Sequence, residues 1–227
     1  LAFMRRFAPR MVAAGIDAIH CSVGVYSTPG GLSIASMDTD PGFNLFRART
    51  LKEVVTVPVI GVGRINNPEE ADQAIARGDA DLISFGRQHL TDPDFINKAR
   101  EENFEDIRWC VACNQGCIER LSFEMKSVTC SFNPECGREY KGSAPKTASP
   151  GRVWIIGAGP AGLSAAMAAS ARGHEVEIFE KGAQAGGQLL SASRPPHKAV
   201  FMDWVEWSLR QLKKTSVPVH YNRTINA

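Results

Sequence analysis

A chain of 227 residues, 44% hydrophobic and 22% charged, has the composition of an ordinary globular protein. Its formal net charge of +2, with no basic run beyond Lys213-Lys214, excludes the electrostatic footprint of a nucleic-acid binder. No stretch approaches the ~20 apolar residues of a membrane-spanning helix, and six cysteines, four in a metal-like pattern, point to a reducing cytoplasm.

Residues 2–14 carry helical spacing of apolar side chains closed by Gly15, and residues 17–22 read as a short buried strand in which His20 and Cys21 are expected to pack. Residues 23–42 are irregular and rich in Gly, Ser, Thr and Pro; loops of that length inside a compact domain tend to be functional. Helical spacing resumes over 43–55, and 57–62 is a β-branched strand. Asn67 supplies an N-cap, Pro68 the first helical position, Glu69 and Glu70 suit the positive helix end, and Gly78 closes the helix. Residues 81–85 form the next strand, and Asp92-Pro93 is expected to start a helix to about residue 102. This alternation predicts parallel strands covered by helices, an α/β fold.

Two of the strands end alike, in Gly63-Arg64 and Gly86-Arg87, 23 residues apart. Glycine lets backbone approach a ligand closely, and the arginine fork matches phosphate oxygens. A doubled Gly-Arg at consecutive strand ends therefore reads as a phosphate site, the arrangement found after the last two strands of a (β/α)8 barrel. Beyond it lies Cys110-Val-Ala-Cys113-Asn-Gln-Gly-Cys117, completed by Cys130. Three thiols around one loop and a fourth after a short excursion suit a cubane iron–sulfur cluster, which offers one iron at each of four corners. A zinc site, more often two matched knuckles, and a set of structural cysteines are the alternatives. Cys136 reads as a loop residue.

Residues 141–151 are small and polar with two prolines, an interdomain linker by composition. After it, residues 152–156 form a strand, Gly157-Ala-Gly159-Pro-Ala-Gly162 opens an alanine-rich helix, and 175–179 form a second strand ending in Glu180. A G-x-G-x-x-G that follows a strand, opens a helix and has an acidic residue 23 positions on is a dinucleotide fingerprint. The helix N-terminus would face a pyrophosphate, and Glu180 would accept hydrogen bonds from ribose hydroxyls. Phe201, Val205, Leu209 and Leu212 mark one face of a later helix, with Trp204 and Trp207 as packing residues.

Gly61-Val-Gly-Arg-Ile-Asn-Asn-Pro-Glu-Glu70, Ala80-Asp-Leu-Ile-Ser-Phe-Gly-Arg87, Asp92-Pro-Asp-Phe95 and the cysteine loop, in that order, resemble the old yellow enzyme family. More narrowly they resemble its iron–sulfur branch, that of 2,4-dienoyl-CoA reductase, trimethylamine dehydrogenase and clostridial enoate reductases. The resemblance implies that residues 1–108 are the last βα units of a TIM barrel, that 109–140 form an iron–sulfur segment, and that 152–227 begin a Rossmann-like FAD-binding domain. It makes Gly63, Arg64, Gly86 and Arg87 FMN ligands, and Cys110, Cys113, Cys117 and Cys130 the ligands of a [4Fe–4S] cluster. Gly187 and Gln188, in the continuation after Glu180, look like the FAD segment of disulfide-reductase-type flavoproteins; ADP is the alternative occupant. The family places a proton donor near the flavin, and Tyr26, on the loop after the first strand, is the candidate, with a flavin-shielding aromatic as the alternative.

The implied activity is NAD(P)H-dependent reduction of an activated C=C bond, of enoate or 2,4-dienoyl-CoA type, by electron relay from FAD through the cluster to FMN. Amine dehydrogenation of the trimethylamine dehydrogenase type and a non-catalytic electron-transfer remnant are the rival readings. A small unsaturated molecule is the expected partner, and a homo-oligomer is compatible. The start at Leu1 inside a helical pattern and the stop after a strand-like 217–221 suggest an internal piece of a longer polypeptide, which alone is expected to bind FMN weakly and to turn nothing over.

Overall fold

The computed structural model describes residues 1–25, 28, 34–142 and 144–226. Two compact units are interleaved along the chain: Leu1–Ile96 with Ala112–Ser131, and Asn97–Val111 with Phe132–Ala227. Among the described residues no helix is long and apolar enough to cross a membrane.

In the first unit α1 (Ala2–Ala13), β1 (Ile19–Cys21), α2 (Leu45–Lys52), β2 (Val59–Gly61), α3 (Pro68–Ala76) and β3 (Leu82–Ile83) alternate, and α4 (Arg87–Thr91) follows. The strands form a parallel sheet in the order β1-β2-β3, with Ile19 beside Val59 and Cys21 beside Gly61. The core lies where α1 and α2 meet this sheet: Ala8, Ala48 and Leu51 pack with Ile19, Cys21, Val59 and Ala80. Burial holds the Cys21 thiol above its ordinary pKa, as expected of a packing residue. His20 is not a core residue: it is exposed between buried Ile19 and Cys21. Successive strand side chains point to opposite sides, so the pattern that buries its neighbours turns His20 the other way.

Asn67 caps α3, its Oδ1 accepting from the Glu69 N–H at 2.8 Å, with Pro68 in the first turn. The helix expected from Asp92 is displaced. α4 already starts at Arg87, Asp92 adopts an extended backbone (φ −142°), and α5 (Phe95–Arg100) begins only after Pro93. The proline ring excludes the helical region for the residue before it, so the chain must break at Asp92. A short α6 (Arg120–Ser122) lies further along the chain in the first unit.

The second unit holds β4 (Arg152–Ile156), α7 (Pro160–Ala171), β5 (Glu175–Phe179), α8 (Leu189–Ala192), α9 (Phe201–Lys214) and β6 (Val219–His220). Its parallel sheet runs β4-β5-β6, in register from Arg152 beside Glu175 to Ile156 beside Phe179. α7 and α9 cover one face through Leu163, Ala166, Trp204, Val205 and Leu212, against Val176 and Ile178. Both tryptophans of α9 pack as expected and also find acceptors: Trp204 Nε1 donates to the Phe132 carbonyl (3.2 Å) and Trp207 Nε1 to the Asp106 carbonyl (3.0 Å).

Candidate functional site

β2 and β3 are neighbouring parallel strands, and pairing continues past them, the Ser84 N–H donating to the Gly61 carbonyl at 2.8 Å. Their following loops, Gly63-Arg64 and Gly86-Arg87, therefore leave one edge of the sheet. Gly63 sits at φ +148°, and a Cβ there would lie 2.9 Å from Asn44 Cβ, so only glycine fits. The turn pressing on it is built: the Gly42 N–H donates to the Gly63 carbonyl (2.8 Å), and fully buried Asn44 donates to the Cys21 carbonyl (2.7 Å). Arg64, itself left-handed at φ 55°, donates to the Thr39 carbonyl. Arg87 donates to Asn114 Oδ1. These tethers orient the two guanidiniums, whose planar forks match phosphate oxygens. The residues present thus fit an FMN phosphate: cationic forks on one sheet edge and a glycine cradle a Cβ would fill.

Asn114 belongs to the cysteine loop. It follows Cys113 in the left-handed region (φ 61°), a conformation asparagine tolerates, and leads into a π-helical turn, Gln115–Glu119, that carries buried Cys117. Its Nδ2 donates to the Ile34 carbonyl at 3.1 Å. Gly116 is pressed against the fourth cysteine: a Cβ there would lie 2.8 Å from Ser131 N and 3.0 Å from Cys130 Cα, and its carbonyl accepts from the Thr129 N–H at 2.8 Å. The loop of Cys113 and Cys117 and the backbone of Cys130 are thus held together in the first unit; Cys110 falls among the residues of the second. None of the six cysteines is in a disulfide. Among the described residues no three His, Cys, Asp or Glu side chains gather as one metal ion would require. A cubane instead takes one thiolate at each of four irons, and an all-sulfur donor set suits it. Cys136 lies in a turn and is buried.

In the second unit Gly157 (φ +100°) turns the chain out of β4, and α7 begins after Gly159 with Pro160 in its first turn. A Cβ on Gly162 would lie 1.9 Å from the Gly157 carbonyl oxygen, so the third glycine is what lets α7 approach β4. Gly187 (φ +52°) lies backbone to backbone with Gly159, its virtual Cβ 3.0 Å from Gly159 Cα. Gln188 beside it is exposed. The Glu180 carboxylate accepts from the Ala158 N–H (2.8 Å) and the Gly182 N–H (2.7 Å), and these bonds hold its pKa below the ordinary glutamate value. Beside it opens a cleft of about 280 Å³, lined by Gly157, Phe179, Glu180, Lys181 and Arg223. These residues fit the adenosine and pyrophosphate of a dinucleotide.

Residues 13–106 match the model of the NADH:flavin oxidoreductase / NADH oxidase family, and residues 155–216 that of the NAD(P)-binding Rossmann-like domain. A metal reductase of Desulforamulus reducens is 38% identical over 95% of this chain and 32% of its own length. A cinnamate reductase of Clostridium sporogenes is 36% identical over 93% of this chain and 32% of its own. A solved 2-naphthoyl-CoA reductase complex superposes with a TM-score of 0.88 at 30% identity, covering 96% of this chain and 33% of that one. These matches agree with the resemblance read from the sequence, to the iron–sulfur flavoprotein branch of the old yellow enzyme family. It spans about a third of the length of the relatives it matches.

Against the expectations for this family, the structure brings the two Gly-Arg doublets to one sheet edge and Gly157, Gly159, Gly162, Gly187 and Glu180 to one loop cluster. Tyr26 lies outside the described residues. Asn114, Asn44 and Thr91 were not singled out from the sequence. A signal existed for Asn114, since asparagine tolerates the left-handed region in a tight loop; the other two become visible only through contacts distant in sequence.

Proposed function

We propose that this chain is the flavin-phosphate, cluster and dinucleotide-binding part of an NAD(P)H-dependent oxidoreductase that reduces an activated C=C bond. Gly63, Arg64, Gly86 and Arg87 would hold FMN phosphate at the carboxyl ends of the last barrel strands. Cys110, Cys113, Cys117 and Cys130 would hold a [4Fe–4S] cluster, and Gly157, Gly159, Gly162, Glu180, Gly187 and Gln188 would hold FAD or ADP. When bound, these groups supply hydride and single-electron transfer between a nicotinamide and the alkene. The chain's own share is positional. Arg64 and Arg87 neutralise phosphate, the glycine at 63 admits it to the backbone, and Glu180 holds the 157–162 loop while keeping lone pairs for ribose hydroxyls. Tyr26 is the candidate to deliver the proton at the substrate α-carbon.

The observation that carries this reading is the bond from Arg87 to Asn114. It ties the phosphate-binding loop after β3 to the loop between Cys113 and Cys117, so the two predicted cofactor sites share one polar contact. The cinnamate and 2-naphthoyl-CoA reductase relatives support an activated alkene as substrate. The test is the full-length protein purified without oxygen. Extracted FMN, a second adenine-containing flavin, about four irons and four sulfides per chain, and NADH-driven reduction of cinnamate-type acids are expected. Zinc in place of iron, or flavin bleaching by amines but not reoxidation by alkenes, would overturn it.

A further inference from the structure

α4 touches the cysteine loop at both ends. Its first residue, Arg87, donates to Asn114; at its last, Thr91 Oγ1 lies 3.6 Å from Cys130 Sγ, bonding range for an atom as large as sulfur, and 3.2 Å from the Arg87 carbonyl. We propose that Thr91 donates a hydrogen bond to the Cys130 sulfur when that cysteine is a cluster ligand, anchoring the thiolate and raising the cluster's reduction potential. The inference rests on the iron–sulfur reading above and names a positioning residue for it.

A threonine hydroxyl has one proton and two lone pairs. With Cys130 as a thiol, its S–H can donate to Thr91 Oγ1 while Thr91 donates to the Arg87 carbonyl, the ordinary back-bond of a helical threonine. Ligation removes the thiol proton and leaves an anionic sulfur that only accepts. Hydrogen bonds to charged acceptors are roughly twice as strong as neutral ones, so the single hydroxyl proton is drawn from the carbonyl to the sulfur. Thr91 is 2% exposed, which limits competition from water and strengthens the bond. The sulfur cannot readily drift away, because Gly116 is packed on the Cys130 backbone and Thr129 is bonded to the Gly116 carbonyl. A donor at a ligating sulfur stabilises the electron-rich reduced cluster more than the oxidised one, and the potential rises.

The experiment uses the full-length protein with its cluster in place, titrated by EPR, as wild type, T91V and T91S. Valine keeps the branched shape and removes the donor; serine keeps the donor. In T91V the cluster's reduction equilibrium is expected to fall threefold to tenfold, a downward midpoint shift of up to about 59 mV for one electron, while T91S stays within twofold of wild type. A T91V midpoint equal to wild type overturns the proposal, as does a T91S midpoint displaced as far as that of T91V. If T91V sheds iron, the iron content of T91S decides. T91S that keeps its iron supports the anchoring bond, and T91S that sheds iron as T91V does overturns it. Iron-free wild-type protein would sink the iron–sulfur reading as well, whereas an intact cluster with an insensitive potential sinks this inference alone.

Discussion

Glu180 holds two backbone N–H groups of different loops, so its charge serves the fold before any ligand arrives. Its folded pKa is depressed, first by the Ala158 bond and then by the Gly182 bond. The stabilisation is therefore complete above the ordinary glutamate value of about 4.3 and drains away as pH falls through the lower folded value. E180Q should melt below wild type at neutral pH, with the gap closing at acid pH; thermal melts across pH 2–8 measure it, and a pH-independent gap would contradict this role. Asn114 makes a comparable double commitment, to Arg87 and to the Ile34 carbonyl, from a left-handed backbone. N114G keeps the backbone freedom and loses both bonds. Losing a bond to a charged partner costs roughly 1.5–3 kcal/mol, so FMN retention, read by flavin fluorescence, should weaken at least tenfold. N114G with wild-type FMN affinity would show that Arg87 is oriented by other groups.

At the scale of elements, the glycines of the 157–162 loop are not interchangeable. A Cβ at Gly162 meets the Gly157 carbonyl at 1.9 Å, inside any real contact, so G162A must push α7 off β4. The cost should reach about 3 kcal/mol, the upper end of overpacking penalties, in urea unfolding. At Gly159, with φ −78°, a Cβ meets only Gly187 Cα at 3.7 Å. G159A should keep its stability yet lose bound dinucleotide, because the added methyl occupies the surface a pyrophosphate needs. Equal unfolding midpoints for the two variants would refute the distinction. This loop was legible in the sequence because strand, turn and helix are contiguous and the signal is local. So was the N-cap at Asn67. The start of α4 at Arg87 was not: no cap residue precedes it, since Gly86 makes no side-chain bond, and the clear signal was Asp92-Pro93, where the chain breaks. The contacts of α4 with Asn114 and Cys130 join residues 27 and 39 positions apart, and no spacing rule reaches that far.

For the whole molecule, the telling feature is that the compact units do not follow the order of the chain. The composition change at 141–151 suggests that everything after it folds apart from everything before it. Yet α9, which lies after that stretch, takes its partners from before it: Trp204 bonds the Phe132 carbonyl, Trp207 the Asp106 carbonyl, Arg210 the Glu105 carbonyl, and Lys214 and Gln211 the Asp106 carboxylate. The Lys214 bond, with smaller help from Gln211, holds Asp106 below the ordinary aspartate pKa. Each of these part-buried hydrogen bonds should contribute about 0.5–1.5 kcal/mol, so together they should keep residues 152–227 from separating freely from Glu105, Asp106 and Phe132. The described residues of 144–151 are mostly exposed, and Lys141 and Lys146 offer tryptic sites. Limited trypsin treatment should therefore cut there and leave two polypeptides that run apart in denaturing gels but elute together in size-exclusion chromatography. W207F, which removes the Trp207 bond to the Asp106 carbonyl and leaves Lys98 Nζ (3.1 Å) as its donor, should loosen the nicked complex measurably and D106A more so, since it removes the Lys214 and Gln211 bonds together. Clean release of the C-terminal piece from the nicked wild type, without denaturant, would mean that these bonds do not hold α9 and that the linker at 141–151 is a true domain boundary after all.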